Sequence, residues 1–462
     1  MGNTGIALGR DGSAPFLNPA TIGSIEDTKL AFSMNVYRLT LNNLAHFFQP
    51  SQALAPPFSG LSVDRGDYLD DELDVLPSTL CFFFTLGNGP RLEEGVARAG
   101  RQKLALCFGE TFIDDFSTTA TNVSGRSPTL STLESISVSQ RLRKASIGPT
   151  YGLALTDHLS VGASLHGTLT TRRVQWRATT LSADAAGHAI STTLLDDAIG
   201  TSFEITGLFG MTYRAQQATF GAALTAPAIH VYGVSKVSTD SQIAGTASDV
   251  TNSLGARGSF SATPPMRLDV GAGFSSPNSV VEFDVGVSVP TGSAFNATLA
   301  GTSSVVAGGV ATMTPYEADI TLPSRPALSI AGGFERRFAS GYGVLGGANA
   351  DLALVSTPVP AQAGFHDYAG HQNRIGISIG GETIGDGGEL LVGAALSYGF
   401  GPRYAPDVYS LAPSFVVVPS DSVSIMLVVA GAANVKTLQR AFDDVRSFVV
   451  DGAAGPPAAT KP

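Results

Sequence analysis

The sequence predicts an all-β fold, an antiparallel transmembrane β-barrel of about fourteen strands with its leading peptide held inside the lumen. Three observations predict it. Apolar and polar residues alternate in runs of roughly 9–11 residues, the length of a tilted membrane strand. The connections between runs alternate short and long, as the two rims of an outer-membrane barrel do. The first two dozen residues are glycine-rich and compact, with neither strand alternation nor helical period, so they can build no core of their own.

That opening reads Gly2-Asn3-Thr4-Gly5-Ile6-Ala7, then Asp11-Gly12-Ser13-Ala14-Pro15-Phe16-Leu17-Asn18-Pro19-Ala20. Asn18 precedes a proline, which biases it toward extended or turn geometry and stops a continued helix. Residues 1–28 are assigned to a plug, 29–434 to the barrel, and 435–462 to a C-terminal helix and disordered tail. The helix carries an apolar stripe of Leu438, Phe442, Val445, Phe448 and Val449, read as packing under the barrel or against a periplasmic partner. Met1 runs straight into the plug with no basic start or apolar core. The chain is therefore read as mature or as truncated at its start.

Composition agrees with a membrane barrel. Charged residues make up 14% and glycine reaches 53 copies, too uncharged for an ordinary soluble globule and too hydrophobic for disorder. No run is long and apolar enough for a helical span, and barrels escape hydropathy because every second residue faces the lumen. A net charge of −10 with no basic surface argues against nucleic acid.

Along the chain, Met266, Leu268, Val270, Ala272 and Phe274 alternate with polar or small residues. The run Val281, Phe283, Val285, Val287 and Val289 follows after a short turn, so the two form a hairpin. Residues 159–169, 203–213, 375–379 and 390–400 repeat the pattern, the first strand begins near 29–42 and the last ends near 422–434. Long polar loops are read at about 43–75, 118–133, 181–200, 237–257, 291–318, 357–370 and 401–411. A soluble β-sandwich is the competing fold, and the small, polar alternate face speaks against it.

Several residues invite a functional reading. The first long loop carries Phe47, Phe48 and Phe58, either a hydrophobic capture surface or a small private core. Carboxylates crowd Asp64–Asp74 without EF-hand spacing, so a solvated acidic loop is preferred to a calcium site, and no metal is assigned. Counting out from the Asp157 turn places Arg141, Arg143, Arg173 and Arg177 outward above the hydrocarbon. There they could pair with lipopolysaccharide phosphates, and Leu142, Val174 and Trp176 face inward as an apolar mouth. A bulge at Gly148-Pro149 would reverse that assignment. Cys81 and Cys107 lie on neighbouring strands, as a cross-strand disulfide or as two packed thiols. Gly376-Ile377-Ser378-Ile379-Gly380 spells a nucleophile elbow but sits in an alternating strand, and His366 and His371 lack metal-site spacing. Neither a catalytic constellation nor a cofactor motif is found, so the chain is read as no enzyme.

The glycine-rich opening, Asp11, and Asn18-Pro19-Ala20 just before the first strand resemble the FadL-type outer-membrane transporters of long-chain fatty acids and other hydrophobic compounds. Segments 151–163 and 263–268 are similar in layout. The resemblance implies a fourteen-stranded barrel filled by an N-terminal hatch, with Asn18, Pro19 and Ala20 where the hatch meets a kinked strand. It also implies sideways release of ligand into the membrane at that kink. Gly109, in the third strand, is the candidate kink, with simple filling of a tight lumen as the other reading. The expected partners are a hydrophobic small molecule, outer-membrane lipid and lipopolysaccharide, and the chain is expected to be a monomer that transports by diffusion. An unselective porin and a surface or adhesion barrel are the alternatives. The shortened opening and the extra C-terminal helix depart from the family pattern.

Overall fold

A computed structural model describes residues 4–9, 11–25, 28–48, 66–86, 102–127, 130–184, 188–245, 249–354, 372–385, 388–407 and 414–434. Phe58, His366, His371 and the expected C-terminal helix and tail lie outside the described residues. A single helical turn, α1 (Ala14–Leu17), and a 3-10 turn, Pro19–Ser24, precede the strands. These are β1 (Lys29–Phe48), β2 (Gly66–Leu86), β3 (Gln102–Ser127), β4 (Leu130–Ala154), β5 (Leu159–Asp184), β6 (Ala189–Ala215), β7 (Ala218–Thr225), β8 (Ile229–Ala244) and β9 (Val250–Ser261). The second half comprises β10 (Met266–Ser276), β11 (Ser279–Val289), β12 (Ser293–Ala307), β13 (Val310–Pro323), β14 (Ala327–Arg337), β15 (Tyr342–Asp351), β16 (Asn373–Gly385), β17 (Gly388–Asp407) and β18 (Ser414–Asn434).

These segments close a wall of 14 antiparallel strands, because β1 pairs with both β2 and β18. Four wall strands are each interrupted once, so that β7 continues as β8, β9 as β10, β11 as β12 and β13 as β14. The interruptions contain Pro227, Pro264-Pro265, Pro290 and Pro326, residues that cannot donate to a ladder. They fall on adjacent strands and form one seam. Above it, the inner faces of β8, β9, β12 and β13 pack with Leu142 and Ala198 into an apolar cluster that includes Val237, Phe260, Phe295 and Ile320. Phe260 stacks on Phe295 at 5.9 Å, and the Arg172 guanidinium lies over the Phe295 ring at 5.1 Å.

This outer storey corrects the expected loops. Most of 118–133, 181–200, 237–257 and 291–318 is strand, paired residue for residue from Phe112–Lys144 up to Ser124–Thr132 and from Asn296–Ser261 to Ala307–Val250. From Gly66 onward the acidic stretch belongs to β2 rather than to a loop. Serine and threonine interrupt the apolar period in the sequence, yet the ladders still satisfy the backbone groups, and threonine suits a strand. Gly308-Gly309, with φ of +57° and +79°, closes the β12–β13 hairpin in the mirror-image turn that strand twist favours.

Alternation sorts the wall into two surfaces. Outward stand Ile147, Leu165, Phe209, Phe220, Phe274 and Ile377, all large and exposed, a lipid-facing belt. Inward stand glycines, hydroxyls and a few charged groups. No described helix is long and apolar enough to cross a membrane.

Above the belt, Asp196 on β6 is 2% exposed and accepts a 2.8 Å bond from Thr239 Oγ1. Burial, with Asp197 adding to it, pushes its carboxyl from the ordinary 3.8 up to about 6 against the lowering effect of that bond. The folded state therefore favours the protonated acid. Its contribution is full below about pH 4 and is lost as pH rises through about 6, a swing on the order of 3 kcal/mol. Asp196→Asn is expected to raise the melting temperature relative to wild type at pH 8 and to leave it unchanged at pH 4, measured by circular dichroism in detergent.

Candidate functional site

The N-terminal segment lies against the inner wall. Asn18 is fully buried in an extended conformation, φ −148° and ψ 105°, as a residue before proline should be. Its side chain uses all its near partners: Nδ2 donates to Ile6 O at 2.6 Å and to Met211 O on β6 at 3.2 Å, and Oδ1 accepts from Ala20 N at 3.1 Å. Asn18 thus caps the 3-10 turn whose first residue is Pro19, and ties that turn both to the start of the segment and to the wall. Ser164 Oγ on β5 donates to Pro15 O at 2.9 Å.

The wall makes room for this segment with glycine. A Cβ at Gly210 would strike the Asn18 side chain, one at Gly162 the Pro19 carbonyl, and one at Gly221 the Ile6 carbonyl. At Gly109 it would sit 2.8 Å from the Phe16 ring, which also stacks on His166 at 4.8 Å. Inward glycines on β3, β5, β6 and β7 are therefore a seat cut to the segment's shape.

Two acids hold its leading end. Asp284 Oδ2 accepts from Gly5 N at 2.9 Å and Ile6 N at 3.3 Å, and Glu282 Oε1 from Ala7 N at 2.6 Å and Leu8 N at 3.1 Å. Both carboxylates project inward from β11 in an i, i+2 relation, one per inward step. Four backbone donors that would otherwise be stranded in the lumen are satisfied by two side-chain carboxyl groups.

Beside the seat the wall is incomplete. The β2–β3 ladder runs from Leu86–Gln102 to Thr79–Gly109. Beyond that pair, among the described residues, β2 continues on β1 alone and β3 on β4 alone, and the β3 register shifts between Glu110 and Phe112. Cys81 and Cys107 face each other one inward step below, 4.2 Å apart at Cα and joined as a disulfide.

The remaining sequence-predicted residues fall in two places. Arg141 lies directly opposite Arg173; Arg141, Arg173 and Arg177 are exposed, Arg143 is half-buried, and Arg173 Nε reaches Asp197 Oδ1 at 3.6 Å. The register across Gly148-Pro149 is unbroken, with Ile147 opposite Gly167 and Thr150 opposite Ser164. Leu142, Val174 and Trp176 point into the lumen and are buried. Phe47 is buried too, near the end of β1 rather than on a loop, and stacks on Trp176 at 6.1 Å within a cluster containing Leu44, Ile136 and Val138. Phe48 ends β1. The sequence reading missed Glu282, Asp284 and Arg172. The acids were visible as the inward members of an alternating strand, and Arg172 as the inward neighbour of Arg173.

The closed wall, lipid-facing exterior and seated segment define a transmembrane barrel with an occupied lumen. Its fold is the FadL-type barrel. No family profile matches the chain, and no curated protein matches its sequence. Solved structures do share the fold. A toluene transporter of Pseudomonas putida, TodX, is 13% identical, with 92% of this chain and 94% of that chain covered and a TM-score of 0.52. The CymD monoaromatic hydrocarbon channel is 13% identical over 93% and 94% of the two chains, with a TM-score of 0.51. A FadL homologue of Pseudomonas aeruginosa is 12% identical over 92% and 94%, with a TM-score of 0.50.

Replacing both acids, Glu282→Gln with Asp284→Asn, weakens four backbone–carboxyl bonds, each contributing on the order of 0.5–1.5 kcal/mol. Amide hydrogen exchange read by mass spectrometry is expected to show residues 5–8 protected in wild type and exchanging at least tenfold faster, roughly, in the double variant.

Proposed function

We propose that this barrel sits in the bacterial outer membrane and takes up hydrophobic small molecules by diffusion, with long-chain fatty acids as the default ligand. The N-terminal segment is the hatch, and ligand leaves sideways between β2 and β3. The observation that carries this reading is the end of the β2–β3 ladder at Gly109, directly over the Phe16 ring of the seated segment. An apolar molecule gains nothing from a water-filled pore, but a gap in the wall delivers it to lipid. Unpaired strand groups cost several kcal/mol each in hydrocarbon, so such a gap persists only where something retains it. Here the disulfide fixes its lower end, and a register shift interrupts the β3–β4 ladder just above Gly109.

In this scheme Phe48 and Phe58 collect ligand on the outside, and the buried Phe47 joins Leu142, Val174 and Trp176 in the apolar mouth. Arg141, Arg143, Arg173 and Arg177 hold the rim to lipopolysaccharide phosphates, and the working unit is a monomer. Movement of Asn18, Pro19 and Ala20 opens the route to Gly109. The structural relatives described as hydrocarbon or toluene channels support the class of ligand.

Asn18→Ala strands Ile6 O and Ala20 N, a loss on the order of 1–3 kcal/mol per group, and removes the tie to Met211 O on β6, and Pro19→Gly loosens the turn. Uptake of a labelled long-chain fatty acid by cells carrying each variant at wild-type surface levels is expected to change several-fold. Uptake identical to wild type in both variants contradicts gating by this segment.

A further inference from the structure

The chain has two cysteines, and both stand at one place in the wall. Cys81 on β2 and Cys107 on β3 are directly opposite in the ladder and joined as a disulfide. Two pairs, Leu80–Phe108 and Thr79–Gly109, lie between that bond and the point where the ladder stops. From there, among the described residues, β2 continues on β1 and β3 on β4. A ladder whose strands have already parted frays from its open end, and a covalent bond sets a limit to the fraying. The pairs on both sides of Cys81–Cys107 already fix the register, so a limit to opening is what the bond alone supplies.

The N-terminal segment covers this bond from the lumen. Cys81 is 0% and Cys107 1% exposed, in an apolar cluster with Ala14, Ile22 and Ile25, and Phe16 packs against it. The Gly12 carbonyl oxygen lies 3.2 Å from Cys81 Sγ. On the other face Leu80, Phe82, Leu106 and Phe108 present apolar side chains to lipid, so a polar reagent gains no access there. A reductant must come through the lumen after the segment has lifted, which selects a small thiol over a protein.

We infer that Cys81–Cys107 is a redox latch on the side opening between β2 and β3, guarded by the N-terminal segment and released by a small dithiol. The inference rests on the sideways-release reading above and adds its regulation. In the oxidised protein the opening cannot pass Cys81. In the reduced protein the ladder can open further, pair by pair toward Leu86–Gln102, each step costing unpaired backbone groups in hydrocarbon. Reduction therefore makes the opening extensible without holding it open. The chemistry is ordinary exchange. A thiolate of the dithiol attacks one sulfur and expels the other, and the reagent's second thiol then displaces the protein from the mixed disulfide. Two electrons and two protons pass to the protein, which ends with two thiols, while the reagent ends as a cyclic disulfide.

The test uses the full chain, dithiothreitol as the dithiol, and Cys81→Ala/Cys107→Ala as a permanently unlatched form, all shown to be folded by heat-modifiable migration. Thiols are counted with a maleimide mass tag. Untreated wild type is expected to take no tag, and reduction should run roughly tenfold faster in Asn18→Ala, where the segment is loosened. Uptake of labelled long-chain fatty acid is then followed in cells at equal surface levels. Reduced wild type should take it up several-fold faster than oxidised wild type. The double variant should match the reduced protein and ignore dithiothreitol. Measurable uptake that reduction leaves unchanged or slows, or a double variant no faster than oxidised wild type, overturns the latch and leaves sideways release standing. Equal reduction rates in wild type and Asn18→Ala overturn guarding by the segment. Uptake absent in both redox states overturns the transport reading and the latch with it.

Discussion

A strip of coil inside a barrel is stable only if its backbone donors and acceptors find partners away from water, and that requirement governs this molecule. Residues 4–25 offer unpaired amides and carbonyls, and the wall answers them with groups of matching type. Glu282 and Asp284 receive four amides, and Asn18 donates to two carbonyls. Glycines at 162 and 221 let the backbones approach closely enough for this to happen, Gly210 admits the Asn18 side chain and Gly109 the Phe16 ring. Steric room and polar satisfaction come from the same inward positions, so the wall is specific for its own leader.

The consequences spread outward. With β3, β5, β6, β7 and β11 committed to the leader, the opposite arc of the barrel keeps its lumen open, and there a cavity forms. Phe16 fills the space under Gly109 at the level where β2 and β3 separate, so any displacement of the leader is felt first at the gap in the wall. The proline seam across β7–β14 has a different role. It allows the upper halves of four strands to turn their apolar inner faces onto Leu142 and Ala198, closing that side of the outer lumen with packed side chains.

Much of the architecture was legible because the lipid belt enforces strict alternation. The β10–β11 hairpin could be read residue by residue, and Phe274 does face Val281. Strands such as 118–127 were not legible, because above the belt neither face is required to be apolar and serine and threonine blur the period. Inward orientation of Leu142, Val174 and Trp176 followed from counting out of one tight turn, since no bulge intervenes. The acid pair escaped notice because its partners are backbone amides nearly three hundred residues away, which carry no side-chain signature.

The central claim is that the leader occupies and closes the lumen, and electrical recording tests it most directly. Wild type and a variant lacking residues 2–25, both shown to be folded by heat-modifiable migration, would be inserted into planar bilayers. The account predicts a nearly silent wild type and a large, steady conductance for the deletion. Equal conductance in the two would mean that the leader does not fill the barrel, and would contradict the account.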